Sequence, residues 1–370
     1  MKLIQIGSDR NVFDENSLVS KRLALYADRV DELHLIVFSL KRHKCRKMRR
    51  GNLYLYPTNT FSKIGALCRA KKIGKQIIGQ SNDFVLSVQD PFEAGLVGTW
   101  IKKNTTIKLQ IQIHTDFFNP FFKDRFLNKI RVIIAKKVLP TADGIRVVSE
   151  RIKNQLLGSC INIKVEPQVL PIMNFYGHRH DMELKQMLDS INGLKIATLS
   201  RLEKEKNLEL LLEVFAEAVK EQSDINLLIA GNGSLRPKLQ KLARKLKIDR
   251  RVHFLGYVAD SLNLFENVDL YIQTSNYEGF GNSLYEAKES HLPIITTDVG
   301  LVGSIIKNGE GALVCKVKDK ECLIHMLKLV VLDKNLRESM REFNLNDKTK
   351  YLPQNRAEFL ENYFFLLEQM

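Results

Sequence analysis

The sequence predicts an α/β protein with two doubly wound parallel sheets. Short apolar runs of strand length alternate with amphipathic stretches of helix length along most of the chain. Such alternation is typical of parallel sheets that carry helices on both faces. It is interrupted once, at Pro167, Pro171 and the polar stretch 177–190. Because 370 residues suffice for two domains of ordinary size, we expect domains at 1–175 and 176–350, followed by a final helix within 351–370.

The first half contains five apolar runs that predict buried strands. They are Lys2–Gly7, Leu33–Leu40, Phe84–Gln89, Lys108–His114 and Gly144–Ser149. The stretches between them, such as 19–30 and 63–78, have helical spacing. Polar residues follow the strands, and the carboxyl ends of parallel strands form the ligand-binding edge of such sheets. His114 ends one strand, although a lone histidine is more often a structural residue than a functional one.

The second half contains a strand, a glycine loop and a helix in succession. The apolar run 269–275 predicts a strand, and Glu278-Gly-Phe-Gly-Asn-Ser-Leu-Tyr-Glu286 follows it. The backbone N–H groups of residues 282–284 would open the helix and form an anion site. Glu278 would point into the crevice, and Glu286 would reach a second part of the same ligand. A phosphate between two hydroxyl-bearing groups fits this layout, as in a nucleotide sugar.

Two cations lie at another strand-to-helix turn. The run 194–200 predicts a strand, Arg201 and Lys206 follow, and a helix with an apolar face begins at Leu208. A planar guanidinium and a compact ammonium at one turn would suit a diphosphate. The alternative is a pair of exposed surface cations. Further strand patterns in this half lie at 226–233, which ends in Gly231-Asn-Gly233, and at 252–258, 293–300 and 309–314.

Together these segments resemble the family 4 retaining glycosyltransferases. The resemblance is carried by the two glutamates eight positions apart with Gly-Phe-Gly after the first, and by Arg201-Leu-Glu-Lys-Glu-Lys206-Asn207. Ser200 replaces the glycine that usually precedes this arginine. The resemblance is strong over 194–316, weaker over the first half and almost absent over 177–192. It implies the GT-B fold, in which two Rossmann-like domains face a cleft and the last helix crosses back to the first domain.

The resemblance also implies roles for particular residues. The catalytic residues would be His114 near the donor sugar, Glu278 on a sugar hydroxyl, and Arg201 and Lys206 on the donor diphosphate. The other donor-binding residues would be Gly233, Tyr257, Val258, Phe280, Gly281, Asn282, Ser283, Leu284 and Glu286. Many members have a Gly-Gly pair after the first strand, whereas here only Gly7 is present. The residues offered to the acceptor would then be Gly7, Asp9, Arg10 and Arg22.

The implied function is a retaining, metal-independent transfer of sugar from a UDP- or GDP-linked donor to a glycan or lipid-linked acceptor. Cell-envelope polysaccharide or glycolipid synthesis would be the setting. No Asp-x-Asp occurs in the sequence, and we expect no metal and no cofactor besides the nucleotide sugar. Two alternatives stay open. One is a nucleotide-sugar 2-epimerase on a GT-B scaffold, and the other is a non-catalytic basic protein that binds membrane or nucleic acid.

The net charge of +15 comes entirely from the first half of the chain. Residues 1–175 contain 30 Lys and Arg against 14 Asp and Glu, whereas the remainder has a net charge of −1. The densest run, 41–50, is either a solvated loop or an attraction to an anionic partner. The segment 117–137 mixes aromatic and basic residues, so it is either a domain helix or an interfacial membrane helix. We expect an anionic membrane surface rather than nucleic acid as the partner.

Cysteine usage and hydropathy predict a cytoplasmic protein, with peripheral attachment to the inner face of the plasma membrane left open. The five cysteines are scattered and lack metal-binding spacing, so we expect free thiols. The N-terminal apolar run is too short for a signal peptide, and no run approaches the roughly 20 residues of a membrane helix.

Overall fold

The structure is a computed structural model that describes residues 1–79, 83–103, 105–171, 182–347, 353 and 355–370. The chain forms two compact units. Unit 1 consists of residues 1–171 and 354–370, and unit 2 consists of residues 172–353. Part of the predicted boundary, residues 177–181, lies outside the described residues.

Unit 1 is organised around a sheet whose described strands are parallel except for one edge hairpin. The strands are β1 (Lys2–Gly7), β2 (Glu32–Val37), β3 (Met48–Arg50), β4 (Leu53–Pro57), β5 (Phe84–Val88), β6 (Lys108–Ile113), β7 (Gly144–Val147) and β8 (Gln168–Val169). Their order is β3-β4-β2-β1-β5-β6-β7-β8, and only β3 and β4 pair antiparallel. The order reverses between β1 and β5, and such a reversal is where ligands bind in doubly wound sheets.

The helices of unit 1 connect these strands. They are α1 (Leu18–Ala27), α2 (Lys63–Ile78), α3 (Glu93–Lys102), α4 (Phe126–Val138), α5 (Glu150–Leu157) and α13 (Arg356–Glu368). Ser and Asn side chains cap several of them, including Ser62 on α2 and Asn355 on α13.

The C-terminal helix α13 completes the core of unit 1. Its Tyr363 is fully buried and stacks on Tyr26 of α1, with ring centres 4.9 Å apart. The Tyr363 hydroxyl accepts a hydrogen bond of 2.9 Å from the Gln5 amide of β1. Because Phe359 and Leu367 are buried as well, the last helix is part of this unit's interior rather than a tail.

Unit 2 contains a second parallel sheet. Its strands are β9 (Leu194–Leu199), β10 (Ile225–Ala230), β11 (Val252–Gly256), β12 (Leu270–Gln273), β13 (Ile294–Thr297) and β14 (Ala312–Cys315), in the order β11-β10-β9-β12-β13-β14. Its helices are α6 (Met182–Asp189), α7 (Leu208–Val219), α8 (Arg236–Lys245), α9 (Ser261–Phe265), α10 (Asn282–Glu289), α11 (Lys320–Leu332) and α12 (Lys334–Asn346).

The core of unit 2 follows from helical periodicity. Leu208, Leu211, Leu212 and Phe215 recur at helical spacing on α7, and each is at most 2% exposed. They pack against fully buried strand residues such as Ile196 and Leu227. Burying each such side chain is worth about 1.5–3 kcal/mol, so this face fixes the helix against the sheet.

One expectation about the cysteines is wrong. Cys315 and Cys322 form a disulfide, with their Cα atoms 5.8 Å apart. Cys315 ends β14 and Cys322 lies in the first turn of α11, so the strand-to-helix turn brings two residues together that are seven positions apart. Cys45, Cys68 and Cys160 are free thiols, as expected.

Candidate functional site

The second sheet reverses its strand order between β9 and β12. From β9 the chain continues outward through β10 and β11, and from β12 it continues outward the other way through β13 and β14. The loops 200–207 and 274–281 follow these two central strands. In doubly wound sheets such a reversal leaves a crevice at the carboxyl ends of the strands, so it is the expected ligand site.

Lys206 and Glu278 form an ion pair across this reversal. The Lys206 Nζ lies 2.5 Å from the Glu278 Oε1, and the Ser275 hydroxyl donates to the same oxygen at 2.7 Å. Their side chains are only 14% and 11% exposed. Two residues that are 72 positions apart, and that the sequence predicts as catalytic, are therefore in direct contact.

Hydrogen bonds from the loop 274–281 hold the main chain around Lys206 in place. The Thr274 hydroxyl lies 3.2 Å from the carbonyl oxygens of both Lys206 and Asn207, and the Asn276 N–H donates to the Glu205 carbonyl at 2.7 Å. Asn207 has a left-handed backbone with φ of 51° and is the N-cap residue directly before α7. The cation is thus positioned by the loop that carries the glutamate, and not by its own helix alone.

Arg201 occupies a different environment from Lys206. Its side chain is 73% exposed, and its Nη2 pairs with the Glu205 Oε1 at 2.8 Å. The structure therefore does not bring Arg201 into contact with Glu278. An exposed guanidinium with one carboxylate partner keeps donors for an incoming anion, since it has five N–H groups in a planar fork.

Helix α10 begins at an open N-terminus beside the ion pair. Gly281 precedes it with φ of 101°, and no side chain caps it among the described residues. Gly300, also in the left-handed region, lies so close to the Phe280 carbonyl that a Cβ there would overlap it. The glycines thus allow two loops to pack together, while the first turn, with Asn282, Ser283 and Leu284, presents unsatisfied amides and positive dipole to an anion.

Tyr271 is a buried residue of this site that the sequence did not reveal. Its hydroxyl lies 2.9 Å from the Ser283 Oγ of α10. Burial raises the pKa of Tyr271, and the charges of Glu278 and Glu286 raise it further. The negative charges of both glutamates therefore act on the Tyr271 hydroxyl, and the tyrosine stays protonated. An apolar run such as Leu-Tyr-Ile shows that this tyrosine is in a strand, but not what its hydroxyl contacts.

The Gly-x-Gly turn after β10 owes its glycines to close packing. A Cβ at Gly231 would overlap the Ser200 carbonyl, and one at Gly233 would overlap the backbone of Leu202. Beside it, the Gly231 N–H donates to the Gly256 carbonyl at 2.6 Å. The exposed Tyr257 and half-buried Val258 follow Gly256, so these predicted donor residues lie at the same strand edge as the loop 200–207.

In unit 1, His114 belongs to a buried polar network. Its Nε2 lies 3.0 Å from the Gln112 Oε1, which also accepts from the Arg146 Nη1 at 3.1 Å. Arg146 is 2% exposed, and its Nε donates to the Leu170 carbonyl. Its ring neighbours are Phe359 and Tyr363 of α13, 5.7 and 5.1 Å from the guanidinium carbon.

This network fixes the state of His114. Because the Gln112 oxygen can only accept, the His114 Nε2 must donate, and the Nδ1 is left as an acceptor. In the described part of the chain that buried Nδ1 has no hydrogen-bond partner. Burial and the charges of Arg146 and Arg22 lower the pKa of His114 to about 3. His114 is therefore a neutral imidazole with an unused acceptor.

The residues predicted for the acceptor lie around the first strand. Gly7 is buried against the Gln89 side chain, and the Asp9 carboxylate accepts from the Asn11 N–H at 3.0 Å, which caps the 3₁₀ turn Arg10–Phe13. Arg10 is exposed and Arg22 is half-buried. Asp9 therefore has a structural use that explains its presence without a ligand.

Metal-binding groups are not assembled in the described ranges, where no three His, Cys, Asp or Glu side chains lie close enough to hold an ion. The described helices also include none that is long and apolar enough to span a bilayer.

Comparison with known proteins identifies the class. Residues 186–347 match the family described as "Glycosyl transferases group 1", and this range lies within unit 2. This match and the similar proteins below confirm the predicted resemblance to the family 4 glycosyltransferases. They also support the prediction that the protein is an enzyme of the glycosyltransferase class.

Two curated relatives and one solved structure illustrate the similarity. Alpha-monoglucosyldiacylglycerol synthase of Streptococcus pneumoniae is 28% identical over 57% of this chain and 51% of its own length. N-acetyl-alpha-D-glucosaminyl L-malate synthase of Bacillus anthracis is 30% identical over 49% and 50%. The chain thus spans about half the length of these relatives. Anabaena Alr3699/HepE, solved with UDP and glucose, is 16% identical over the whole of both chains with a TM-score of 0.76, which confirms the GT-B fold.

Proposed function

We propose that the protein is a retaining, metal-independent glycosyltransferase that moves a sugar from a UDP- or GDP-sugar to a glycan or lipid-linked acceptor. The observation that carries this proposal is the Lys206–Glu278 ion pair, which lies at the strand-order reversal beside the open N-terminus of α10. A cation, a carboxylate and free amides together match the diphosphate and the hydroxyl groups of a nucleotide sugar.

The donor would bind with its diphosphate between Lys206, Arg201 and the first amides of α10. An ammonium has three N–H groups, so Lys206 can keep its contact with Glu278 and still donate to a phosphate oxygen. Glu278 keeps a second carboxylate oxygen, Oε2, for a sugar hydroxyl, because its contacts with Lys206 and Ser275 use Oε1. Glu286, about one turn along α10, would hold the nucleotide ribose.

Transfer then needs charge stabilisation at the leaving group. The bond between the anomeric carbon and the phosphate oxygen breaks, and its electron pair leaves with the nucleoside diphosphate. The acceptor hydroxyl forms the new bond on the same face of the sugar, and its proton passes to the departing phosphate. Positive groups fixed in advance at that phosphate are usually the largest catalytic term. Lys206 is such a group, because the Thr274 hydroxyl holds its main chain and Glu278 holds its ammonium before the donor arrives.

His114 would assist from unit 1 as a hydrogen-bond acceptor. Its neutral state and unpartnered Nδ1 suit a sugar hydroxyl rather than a phosphate, since a phosphate requires donors or positive charge. The proposed assignment therefore gives the phosphate to unit 2 and a hydroxyl group to His114.

An anionic membrane surface is the second partner that we propose, through helix α4. Phe126 is 79% exposed, and Leu127, Ile130 and Ile133 on the same helix are exposed as well. The helix and the turn before it also carry the exposed cations Lys123, Arg125, Lys129, Lys136 and Lys137. An apolar stripe with basic flanks suits the interface of an anionic bilayer, where each cation near the surface contributes about 1 kcal/mol. The similarity to a glucosyldiacylglycerol synthase supports a lipid acceptor at such a surface.

The membrane contact is tested by co-sedimentation with vesicles. We expect binding to phosphatidylglycerol vesicles and not to phosphatidylcholine vesicles, with loss of binding in the double variant Phe126→Ser, Ile133→Ser. The matched control is Leu329→Ser, Leu332→Ser, which removes two exposed apolar residues from α11 of unit 2. Equal loss in both double variants would remove α4 from the proposal.

The donor site is tested by thermal shift against a panel of nucleotide sugars. A ligand that binds only the folded state raises the melting temperature by mass action. We expect a rise with one UDP- or GDP-sugar, lost in Glu286→Ala and kept in Glu289→Ala, which removes an exposed glutamate from the same helix. If no nucleotide sugar changes the melting temperature, the proposed donor site fails.

Product analysis separates the alternatives. A 2-epimerase would invert C2 of the donor sugar and need no acceptor, so release of free nucleotide only when an acceptor is present would exclude it. A non-catalytic basic protein would bind nucleic acid with a steep salt dependence and show no affinity for nucleotide sugars.

A further inference from the structure

A groove of about 880 Å³ lies in unit 1, and the functions proposed so far do not use it. Its walls come from helix α2, from strands β2 and β4, and from the loops that follow these strands. The residues on which the inference depends are Lys41, Lys47, Arg69, Tyr56, Phe61 and Asn59.

The groove carries positive charge without a counter-charge. Lys41, Lys47 and Arg69 line it, and its lining includes no Asp or Glu. Among the described residues, none of these three exposed cations forms an ion pair, whereas other cations of unit 1 do, such as Lys102 with Asp143 at 2.6 Å. Part of the basic run 41–50 therefore faces a concave surface instead of forming a solvated loop of paired side chains.

Two of these cations rest on aromatic rings. The Lys41 Nζ lies 3.9 Å from the ring centre of Phe61, which is 84% exposed, and the Lys47 Nζ lies 5.0 Å from that of Tyr56. A ring attracts an ammonium weakly and leaves its N–H groups available to an anion. An exposed ring beside a cation therefore offers an apolar face to a sugar and a positive charge to a group attached to it.

Internal hydrogen bonds shape the rim of the groove. The Asn59 Nδ2 donates to the Cys45 carbonyl at 2.6 Å, and its Oδ1 accepts from the Ser39 hydroxyl at 3.0 Å. The Lys41 N–H donates to the Thr60 carbonyl at 2.9 Å. Asn59 adopts φ of 45°, a conformation that residues other than glycine rarely keep without supporting contacts. The basic loop is thus fastened to the end of β4, so the cations are presented by a built surface.

We propose that this groove binds a phosphate-bearing glycan. Its phosphate would lie on Lys41, Lys47 and Arg69, and the adjoining sugar ring would pack on Phe61. A concave wall with hydroxyl and amide groups, such as those of Thr60 and Gln76, suits a chain with many hydroxyls. A flat bilayer surface cannot enter a concave groove in the same way. The use of this glycan as the acceptor rests on the proposed function, whereas its binding does not.

The test compares two ligands that differ only in phosphate. Calorimetric titration of the full chain with maltotriose 6-phosphate and with maltotriose should show at least about tenfold tighter binding of the phosphorylated form. The triple variant Lys41→Gln, Lys47→Gln, Arg69→Gln should lose that preference. The matched control Lys241→Gln, Lys245→Gln, Arg250→Gln removes the same charge from exposed positions of unit 2 and should keep it.

A second pair of variants tests the ring contact. Phe61→Ala should weaken binding of both maltotriose 6-phosphate and maltotriose several-fold, whereas Phe365→Ala, which removes another exposed phenylalanine of unit 1, should not. Equal affinity for the two ligands, or equal loss in both triple variants, would overturn the proposal. Binding of phosphatidylglycerol vesicles or oligothymidine without binding of maltotriose 6-phosphate would overturn it too.

The nucleotide-sugar thermal shift separates this proposal from the previous one. The groove variant should keep the donor-induced shift, because its substitutions lie in unit 1 and the proposed donor residues with the ion pair lie in unit 2. Phosphate-dependent glycan binding by a protein that binds no nucleotide sugar would refute the transferase and leave the groove proposal standing.

Discussion

The two units hold their candidate reactive groups by opposite electrostatic means. In unit 2, Lys206 and Glu278 neutralise each other in a largely buried contact. In unit 1, His114 is held by a neutral amide, and burial, followed by the charge of a buried arginine without a carboxylate partner among the described residues, keeps the histidine uncharged. In unit 2, pairing makes Lys206 and Glu278 depend on each other, whereas in unit 1 burial and nearby positive charge make the contribution of His114 to stability depend on pH.

The largest expected effect is on catalysis by unit 2. Lys206→Ala removes the fixed positive charge at the leaving phosphate, so we expect kcat to fall on the order of 10²–10³-fold. The rate at which nucleoside diphosphate is released in the presence of acceptor measures this kcat. Lys204→Ala removes an exposed lysine from the same turn and should change kcat less than about twofold. If kcat is the same in both variants, the charge of Lys206 does not contribute to catalysis.

A double-mutant cycle measures the mutual dependence in unit 2. Lys206→Ala leaves Glu278 unpaired, and we expect a loss of roughly 2 kcal/mol, less than for a fully buried pair. Adding Glu278→Ala should recover part of that loss, which corresponds to a coupling energy of about 1–2 kcal/mol. Hydrogen exchange of the buried strand β10 reports the stability of this unit. Additive losses would mean that the two residues are independent.

The pH dependence of unit 1 tests the other half of the comparison. The pKa of His114 is about 3 in the folded protein, whereas its ordinary value, which applies to the unfolded chain, is 6.5. Between pH 3 and pH 6.5 the unfolded chain therefore binds one more proton than the folded protein. The stability that neutral His114 provides is complete above pH 6.5. It falls by about 1.4 kcal/mol for each pH unit below that.

A second buried group opposes this trend. Burial raises the pKa of Asp90 to about 6, so the folded protein binds more protons there and gains stability as the pH falls from 6 towards 3.8. The difference between wild type and His114→Gln isolates the histidine, and Asp90→Asn removes the opposing group. Fluorescence of Trp100, the sole tryptophan, follows unit 1. If His114→Gln leaves the pH slope unchanged, the histidine does not carry the effect.

The smallest expected effect is on stability at Arg201. Its ion pair with Glu205 is exposed, and such pairs contribute little because water and salt screen them. We expect Arg201→Ala to change the free energy of unfolding by less than about 0.5 kcal/mol, measured by the same hydrogen exchange. A larger loss of stability would show that the exposed Arg201–Glu205 pair contributes more than solvent screening allows. With stability unchanged, a fall in turnover would report on donor contacts.

The sequence was most informative where spacing reflects backbone geometry. Alternating strand and helix patterns predicted both sheets, and the glycines around Phe280 predicted the loop before α10, because both depend on local conformation. The resemblance to a known family assigned Lys206 and Glu278 to one donor site, but their direct contact was not predicted, since no local rule joins residues 72 positions apart. The roles assigned to the site residues remain predictions.

The features that sequence reasoning missed depend on long-range packing. Arg146 lies in an apolar strand pattern, and nothing local indicates that it is buried or that it supports Gln112 and His114. Tyr271 is similar, because its hydroxyl partner comes from α10. The β3–β4 hairpin, of which β4 lines the groove, was also missed, although the alternation Leu53-Tyr-Leu-Tyr56 was a usable signal. The disulfide was missed because its closeness arises from a strand-to-helix turn.

The return of α13 to unit 1 has a consequence for biosynthesis. Tyr363 fills the interior of that unit, and the Met370 side chain lies against Gly144. Residues 1–171 are therefore synthesised before the helix that completes their core. The whole of unit 2 is synthesised between these two parts of unit 1. Unit 1 would therefore reach its full stability only after residues 354–370 have been synthesised. A premature stop near residue 355 would thus destabilise unit 1 more than unit 2, although unit 2 is the unit that directly precedes this position.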